Sequence, residues 1–534
     1  MKTYIKNALI IDGTGEKGYA GAVLIEDDKI IRVRNTMEQE AERDADRIID
    51  AQGMVLAPGF IDTHSHSDLK VLSAPELLPK LHQGITTEVL GQDGISMAPL
   101  PFQYIEPWKK NLAGLDGTDD QLDWTYRDTA GYLQLIRDAQ PARNESYLLP
   151  HGNVRMEAMG LDNRVATKED IQKMCEITRR EMEAGCIGLS SGLIYMPCAY
   201  GQTEELIEMC KVVAEFGGVF VVHQRSEADD IIPSMDEIIR IGAESNVAIH
   251  FSHFKVCGKQ NWEKLPAMLQ KLDEAAEKGL TVSFDQYPYV AGSTMLGVIL
   301  PPWVHDGGTD KLVERLKDPV LREQMKQDMI KGIDGWDNFI QFAGTEGIFI
   351  TSVASQKNQD VVGLSLEELG EKRGKDALDA TFDLLAEEKN AVGMVDFYGT
   401  EEHVIRIMKR PEMNLCTDGL LSGKPHPRVY GSFPRVLGKY VREEKALTLE
   451  EAVRKLSGKA ADALHIHHRG YIKEGYYADL CIFDPDTVED RGTFTKPEQY
   501  PAGIRYVFVN GVLELEKGTV NQNRAGKVLC LNSK

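Results

Sequence analysis

Between residues 167 and 285 the chain repeats one pattern, an amphipathic stretch of helical period followed by a short apolar run. Thr167, with Asp170 three positions on, reads as a helix start; Ile171, Met174, Cys175 and Met182 mark one face, and Gly185 is the stop. A strand follows at Ile187-Gly-Leu-Ser-Ser. The next round is a helix from Glu204 to Phe216, a stop at Gly217-Gly218 and the strand Val219-Phe-Val-Val-His223. Then come a strand from Val247 to His253, a helix around Leu265 to Lys278 and a strand from Leu280 to Asp285. Apolar strands joined by single helices pair in parallel with both faces covered. So many such units predict an α/β fold, a (β/α)8 TIM-type barrel over residues 57–468, with its chemistry at the carboxyl ends of the strands.

The two ends read differently. Ala22 to Val33 is two apolar runs around an Asp-Asp-Lys turn, Ala478 to Phe483 is a strand, and Tyr506 to Leu515 is a hairpin on Asn510-Gly511. Since the termini of a domain usually lie close together, residues 1–56 and 469–534 are expected to build one small β-sandwich. Between barrel strands 7 and 8, residues 295–360 break the rhythm with a Pro-Pro-Trp turn and a charged run from Asp310. This stretch is expected to be a lid-like insertion over the active face.

Composition narrows the partners. The 534 residues carry 61 Lys+Arg against 83 Asp+Glu, a net charge of −22 with no basic stripe, which argues against nucleic acid. No apolar run approaches the ~20 residues of a membrane helix, and the amino terminus has no signal-peptide core, so a cytoplasmic protein with no membrane partner is expected. The eight cysteines form no Cys-x-x-Cys pair and are expected to be reduced. Oligomeric state is left open, a homo-oligomer included.

The strongest chemical signal is Gly59-Phe-Ile-Asp-Thr-His64-Ser-His66-Ser-Asp68. Side chains in a strand repeat every second residue, so His-x-His puts two imidazoles on one side, a metal half-site. Two solvated histidines on an edge strand would give the same pattern. His223 and His253 end two further strands and Asp418 ends the run from Met413, so these groups are expected at one barrel mouth. Burying them together is costly without a cation.

His64-Ser-His66, Leu189 to Tyr195, His223-Gln-Arg-Ser-Glu227, Phe251-Ser-His253-Phe-Lys255, Tyr287-Pro-Tyr289-Val-Ala-Gly-Ser293-Thr, Thr417-Asp418-Gly and His426-Pro-Arg428 through Phe433-Pro-Arg435 together resemble the N-acyl-D-amino-acid deacylases (D-aminoacylases) of the amidohydrolase superfamily, nearly end to end. The resemblance implies metal-dependent hydrolysis of the amide of a small-molecule N-acylamino acid. It implies that His223 and His253 hold zinc with a ligand from the second strand, that His64, His66 and Asp418 offer a second, weaker position, and that Asp418 is the general base. Such a cation lowers the pKa of its water toward ~7 and polarises the carbonyl. Where these deacylases usually carry a cysteine ligand, this chain has Gly91-Gln-Asp93-Gly94. Asp93 is harder than thiolate and shifts preference toward manganese, leaving open whether one metal or two is bound.

By the same resemblance Arg428 clamps the substrate carboxylate, because guanidinium binds carboxylate bidentately, and Tyr289 and Ser293 hydrogen-bond it. Lys255 is assigned to a substrate oxygen, with a pair to Glu227 as the plainer alternative, and Tyr195 to the pocket wall. His465, His467 and His468 read as a surface turn, His250 as core or rim rather than ligand, His151 as a strand end, and Cys198 and Cys257 lack a basic partner for a nucleophile. A dipeptidase acting on a C-terminal D-residue uses the same groups; a hydantoinase or dihydroorotase would bridge its metals with a carboxylated lysine; a non-catalytic metal scaffold is the reading outside enzymes.

Overall fold

The structure, a computed structural model, describes residues 1–35, 42–119, 122 and 124–531. Eight strands among these run in parallel order: Phe60–Asp62, Ile85–Leu90, Asn144–Tyr147 with its continuation Leu149–Pro150, Gly188–Gly192, Val219–His223, Ala248–Phe251, Val282–Gln286 and Met413–Leu415. Their residues are almost all buried, the condition for strands covered on both faces. Beyond the eighth strand, Gly419 and Leu420 pair in parallel with Ser65 and His66, which follow the first.

The helices between them start and stop where the sequence indicates. Lys168–Ala184 carries a reciprocal capping box between Thr167 and Asp170 and ends on Gly185 at φ 123°. Thr203–Glu215 and Leu265–Glu277 lie within two residues of their expected bounds. One strand is shorter than expected: Ala248–Phe251 stops two residues before His253, which bends to φ 33°. The cause is a competing acceptor, because His253 N–H donates to the buried carboxylate of Asp285 on the next strand.

Strands from the two chain ends form one nine-stranded sheet. Lys2–Ile10 pairs with Tyr19–Glu26 and Val55–Pro58, and Val55–Pro58 pairs with Leu480–Phe483. Ile5, Ile25, Leu56, Leu480 and Phe508 share its core. The hairpin turn Asn510-Gly511 has φ 49° and 75°, both left-handed. A Cβ on Gly511 would come within 1.8 Å of Asp27 O, in the turn of the N-terminal hairpin.

Between the seventh and eighth parallel strands the chain builds a separate antiparallel sheet. Ala291–Met295 and Ile348–Val353 flank Val392–Phe397, so this sheet draws on residues on both sides of 295–360. No helix among the described residues is long and apolar enough to cross a membrane. The eight cysteines are all free.

The first and last parallel strands are tied by buried charge. Lys80 Nζ lies 2.7 Å from both Asp62 and Glu88 and donates to Ser65 Oγ and Thr417 Oγ1, each at 2.8 Å. Asp62 also accepts from Thr417 N at 2.7 Å and Thr417 Oγ1 at 2.6 Å. Arg143 continues the network to Glu88 and, at 2.9 Å, to Glu145. Removing one partner from such a cluster strands the others without solvent, so Lys80→Met should lower stability by about 3–5 kcal/mol. Urea-induced unfolding reads this, and an unchanged midpoint would show that the cluster does not hold the strands.

Candidate metal centre and pocket

The chain places the polar side chains by local backbone strain as much as by strand period. His64 and His66 follow the first strand with one residue between them, and their ring centroids are 5.3 Å apart. Asp93 sits after the second strand at φ 55°, ψ 19°, between Gly91 at φ 77° and Gly94 at φ 69°. Gly91 is required there, since a Cβ would come within 2.2 Å of Leu148 O. The turn is held from three sides: Gly91 N–H donates to Asp68 at 2.8 Å, Gln92 Nε2 to Thr63 O at 2.9 Å, and Gly94 N–H to Ser190 Oγ at 3.1 Å. His253 at φ 33° and Asp418 at φ 47° are left-handed too. Such non-glycine backbone costs of order 1–3 kcal/mol per residue and persists where the surroundings over-determine it. Asp418 N–H donates to His64 O at 2.8 Å, which fixes its turn, and the nearest following helix starts at Arg428, so Asp418 is not a helix cap.

Four imidazoles and two carboxylates converge. Asp93 Oδ1 is 3.6 Å from His64 Nε2 and 3.7 Å from His253 Nε2, while its Oδ2 is 3.5 Å from His66 Nε2. Asp418 Oδ1 is 3.3 Å from His66 Nε2 and 3.7 Å from His64 Nε2. His223 Nδ1 is 2.8 Å from His253 Nε2. Ligand atoms around one ion at bonds of ~2.1 Å stand roughly 3.4 Å apart, which matches this spacing. His64 with Asp93 and His253, and His64 with His66 and Asp418, each gather within one ion's reach, and all are buried. Asp93 turns one oxygen toward each group. Both ring nitrogens of His64, Asp93 Oδ1 and His223 Nε2 are buried without a hydrogen-bond partner. Buried polar groups in proteins are as a rule hydrogen-bonded, and histidine and carboxylate atoms left orphaned this close together fit a divalent cation.

The electrostatics agree. Burial would raise the Asp418 carboxyl, but Arg428, at 2.9 Å, and the nearby His64 and His66 hold it well below the usual carboxylate range. Burial would lower His66, but Asp418 and Asp93 push it up to about 10. Burial brings His223 down to about 4. The two carboxylates thus demand positive charge, supplied either by a proton on His66 or by a metal ion.

A narrow pocket opens over this cluster, lined among others by Tyr195, Lys255, Ser293, Asp396 and Asp418. Tyr195 is a wall residue whose hydroxyl lies 2.8 Å from Thr294 Oγ1. Lys255 Nζ is 2.6 Å from Glu227, the plainer of the two sequence readings. Ser293 Oγ donates to Met394 O at 2.8 Å. Arg428 is fully buried, with Nη1 on Asp418 at 2.9 Å and Nη2 donating to Ser293 O at 2.9 Å. Tyr289 is turned from the pocket: its ring packs 4.6 Å from the Arg435 guanidinium, and its hydroxyl points toward Gly431. Tyr287 lines the pocket instead, because a tight turn at Pro288, with Tyr289 N–H bonded to Tyr287 O at 3.0 Å, splays the two rings. His151 is bound to Ser191 and Glu205, and His250 to Ser283 and to Asp285, the carboxylate that also accepts the His253 N–H. His467 and His468 are exposed.

Glu227, Asp285 and Asp396 are site residues that the sequence reading did not assign. Glu227 was legible four residues after His223, and Asp285 at a strand end beside His253. Asp396 had no signal, since it lies on the central strand of the inserted sheet.

The amidohydrolase family profile matches residues 47–296 and 412–513. A D-aminoacylase of Alcaligenes xylosoxydans xylosoxydans is 34% identical over 522 residues, 98% of this chain and 96% of that protein. The crystal structure of an N-acyl-D-glutamate deacylase from Bordetella bronchiseptica, complexed with zinc and a phosphonate mimic of the tetrahedral intermediate, superposes with a TM-score of 0.83, 31% identity and 99% coverage of each chain. A D-aminoacylase structure concerned with a binuclear metal centre superposes with a TM-score of 0.82 at 34% identity, again over 99% of each chain.

Asp93→Ala removes the one carboxylate shared by both donor groups and should lower bound divalent metal per chain, measured by plasma mass spectrometry after reconstitution. Asp93→Cys should restore zinc but not manganese, since thiolate favours the softer ion. Wild-type stoichiometry in the alanine variant would remove Asp93 from the ligand set.

Proposed function

Because the chain belongs to the amidohydrolase family, we propose that it is a metal-dependent hydrolase that removes the acyl group from an N-acyl-D-amino acid or a close relative. The observation that carries this reading is the buried set His64, Asp93 and His223, each with a polar atom that has no hydrogen-bond partner, beside Asp418 and a pocket. Asp93, His223 and His253 would hold one divalent ion, and His64, His66 and Asp418 a second, with zinc or manganese as the metal. When bound, the cation supplies Lewis acidity toward the amide carbonyl and an acidified water.

The remaining chemistry belongs to the chain. Asp418 is held ionised and aimed by Arg428; it accepts the proton of the attacking water and returns it to the departing amine nitrogen. Arg428 keeps a buried Nε without a partner, and with Ser293 we assign it to the substrate carboxylate, next to Lys255. The pocket walls, Tyr195 among them, exclude bulk water from the reacting amide. A carboxylate between the two donor groups comes from Asp93, which leaves no role for the carboxylated lysine of a cyclic-amide hydrolase.

The same reading includes the architecture. The pairing of Ser65 and His66 with Gly419 and Leu420 supports closure of the eight parallel strands into a (β/α)8 barrel over residues 57–468. The shared core of the nine-stranded sheet supports a small sandwich over residues 1–56 and 469–534, and residues 295–360 then lie over the barrel mouth as a lid.

Incubation with N-acetyl-D-amino acids, N-acetyl-L-amino acids, dipeptides and hydantoins under zinc or manganese should release free D-amino acid from the first group. Turnover of hydantoins alone would replace the reading. Asp418→Asn should lower kcat by about 100- to 10,000-fold with metal content nearly kept. Arg428→Met should lower kcat/KM by about 1.5–3 kcal/mol equivalent, the loss of a charged hydrogen bond.

A further inference from the structure

Tyr195 stands between two pockets. With Ile194, in the loop after the fourth parallel strand, it lines both the metal pocket and a second pocket beside it. Ile95, Met196, Met295, Val298, Leu300 and Trp336 furnish most of the second wall, and among the described residues that line it there is no acid, lysine or arginine. Its amide and imidazole side chains, Asn111, His305 and Asn390, are shared with a third, wider cavity of about 410 Å³, rimmed by the exposed Gln103, Asp162 and Asp310. His305 adds no charge, since burial brings it down to about 4 and its Nε2 donates to Gly297 O at 3.1 Å. Asn390 keeps a buried Oδ1 without a partner, an acceptor that water or a ligand satisfies. In series the three describe a passage from the metals outward, apolar beside the metal pocket and polar where it meets solvent.

The reaction decides which half of a substrate enters this passage. Asp418 returns its proton to the amine nitrogen and Arg428, 2.9 Å from it, takes the carboxylate, so the amino-acid half lies on their side. His223 contacts neither: its neighbour in the cluster is His253, at 2.8 Å, and the Tyr195 ring lies 5.4 Å from it. The acyl carbon, across the scissile bond from the nitrogen, therefore points toward Tyr195 and the apolar wall. Met196 and Met295 flank the way with unbranched side chains that adapt to a flexible chain, while its narrowness disfavours branched or ring-bearing groups.

We propose that the passage walled by Ile194, Met295, Val298 and Leu300 is the acyl subsite, so that the preferred substrates carry a straight aliphatic acyl chain of medium length rather than acetyl. This rests on the deacylase reading above for the reaction, and on the passage alone for the chain length. Each methylene moved from water onto these side chains contributes about fourfold in binding. The gain ends where Asn111, His305 and Asn390 replace the apolar wall.

The test compares kcat/KM of the metal-loaded protein for D-leucine carrying acetyl, butanoyl, hexanoyl, octanoyl or benzoyl groups. Hexanoyl should exceed acetyl by roughly 10- to 100-fold, and benzoyl should trail. Val298→Phe, which fills the passage beyond the metal pocket, should lower the ratio of hexanoyl to acetyl about tenfold. Should that variant not fold, Val298→Ala reads the same wall with the opposite sign, raising the ratio of octanoyl to hexanoyl. Equal rates at all chain lengths, or a fall with length, would overturn the subsite. So would a gain that instead follows side-chain length across N-acetyl-D-alanine, N-acetyl-D-norvaline and N-acetyl-D-2-aminooctanoate. If no N-acyl compound is hydrolysed, the deacylase reading fails separately, and the acyl-D-leucines are then titrated as ligands by calorimetry. Tighter binding of the hexanoyl than the acetyl compound, lost in Val298→Phe, would sustain the passage; equal or absent binding would overturn it.

Discussion

Everything at the candidate site stands on a salt-bridged cluster with no access to water. Lys80 binds Asp62 and Glu88, and Asp62 in turn accepts both donors of Thr417, the residue before Asp418. The same ammonium reaches Ser65, between His64 and His66. One buried cation therefore sets the relative height of the first and last parallel strands, and with it the distance between the His-x-His pair and the proposed base. Apolar residues could fill that volume at comparable stability, but they would not fix hydrogen-bond register between segments more than 330 residues apart in sequence.

Several features of the site were legible because they depend on short-range order. Strand period brings His64 and His66 to one side, and the end of an apolar run marks His223 and Asp418. The capping box at Thr167 and the glycine stop at Gly185 are equally local, and they set the spacing of the parallel strands. Where sequence reading went astray, the determinant was distant. His253 leaves its strand early because Asp285, on the neighbouring strand, captures its N–H. Tyr287 and Tyr289 share a parity that would place them together on an extended strand, yet the turn at Pro288 separates them. Asp396 owes its position to antiparallel pairing with Gly292, more than a hundred residues earlier, and no local pattern carries that register.

Left-handed backbone at Asp93, His253 and Asp418 has a common meaning. Each residue is bent out of its strand or loop direction so that its side chain turns inward, and each bend is held by buried hydrogen bonds from a different element. The site is accordingly rigid before any ligand arrives, which lowers the cost of organising it at the moment of reaction.

The interlocking of Gly511 with Asp27 O bears on biosynthesis. The N-terminal strands emerge first, but the edge formed by Val55–Pro58 awaits Leu480–Phe483, made more than four hundred residues later. During translation that edge is an unpaired template for wrong partners. Val55–Pro58 is only 4 residues long, and so short an edge gives a wrong partner few hydrogen bonds before its true neighbour is made.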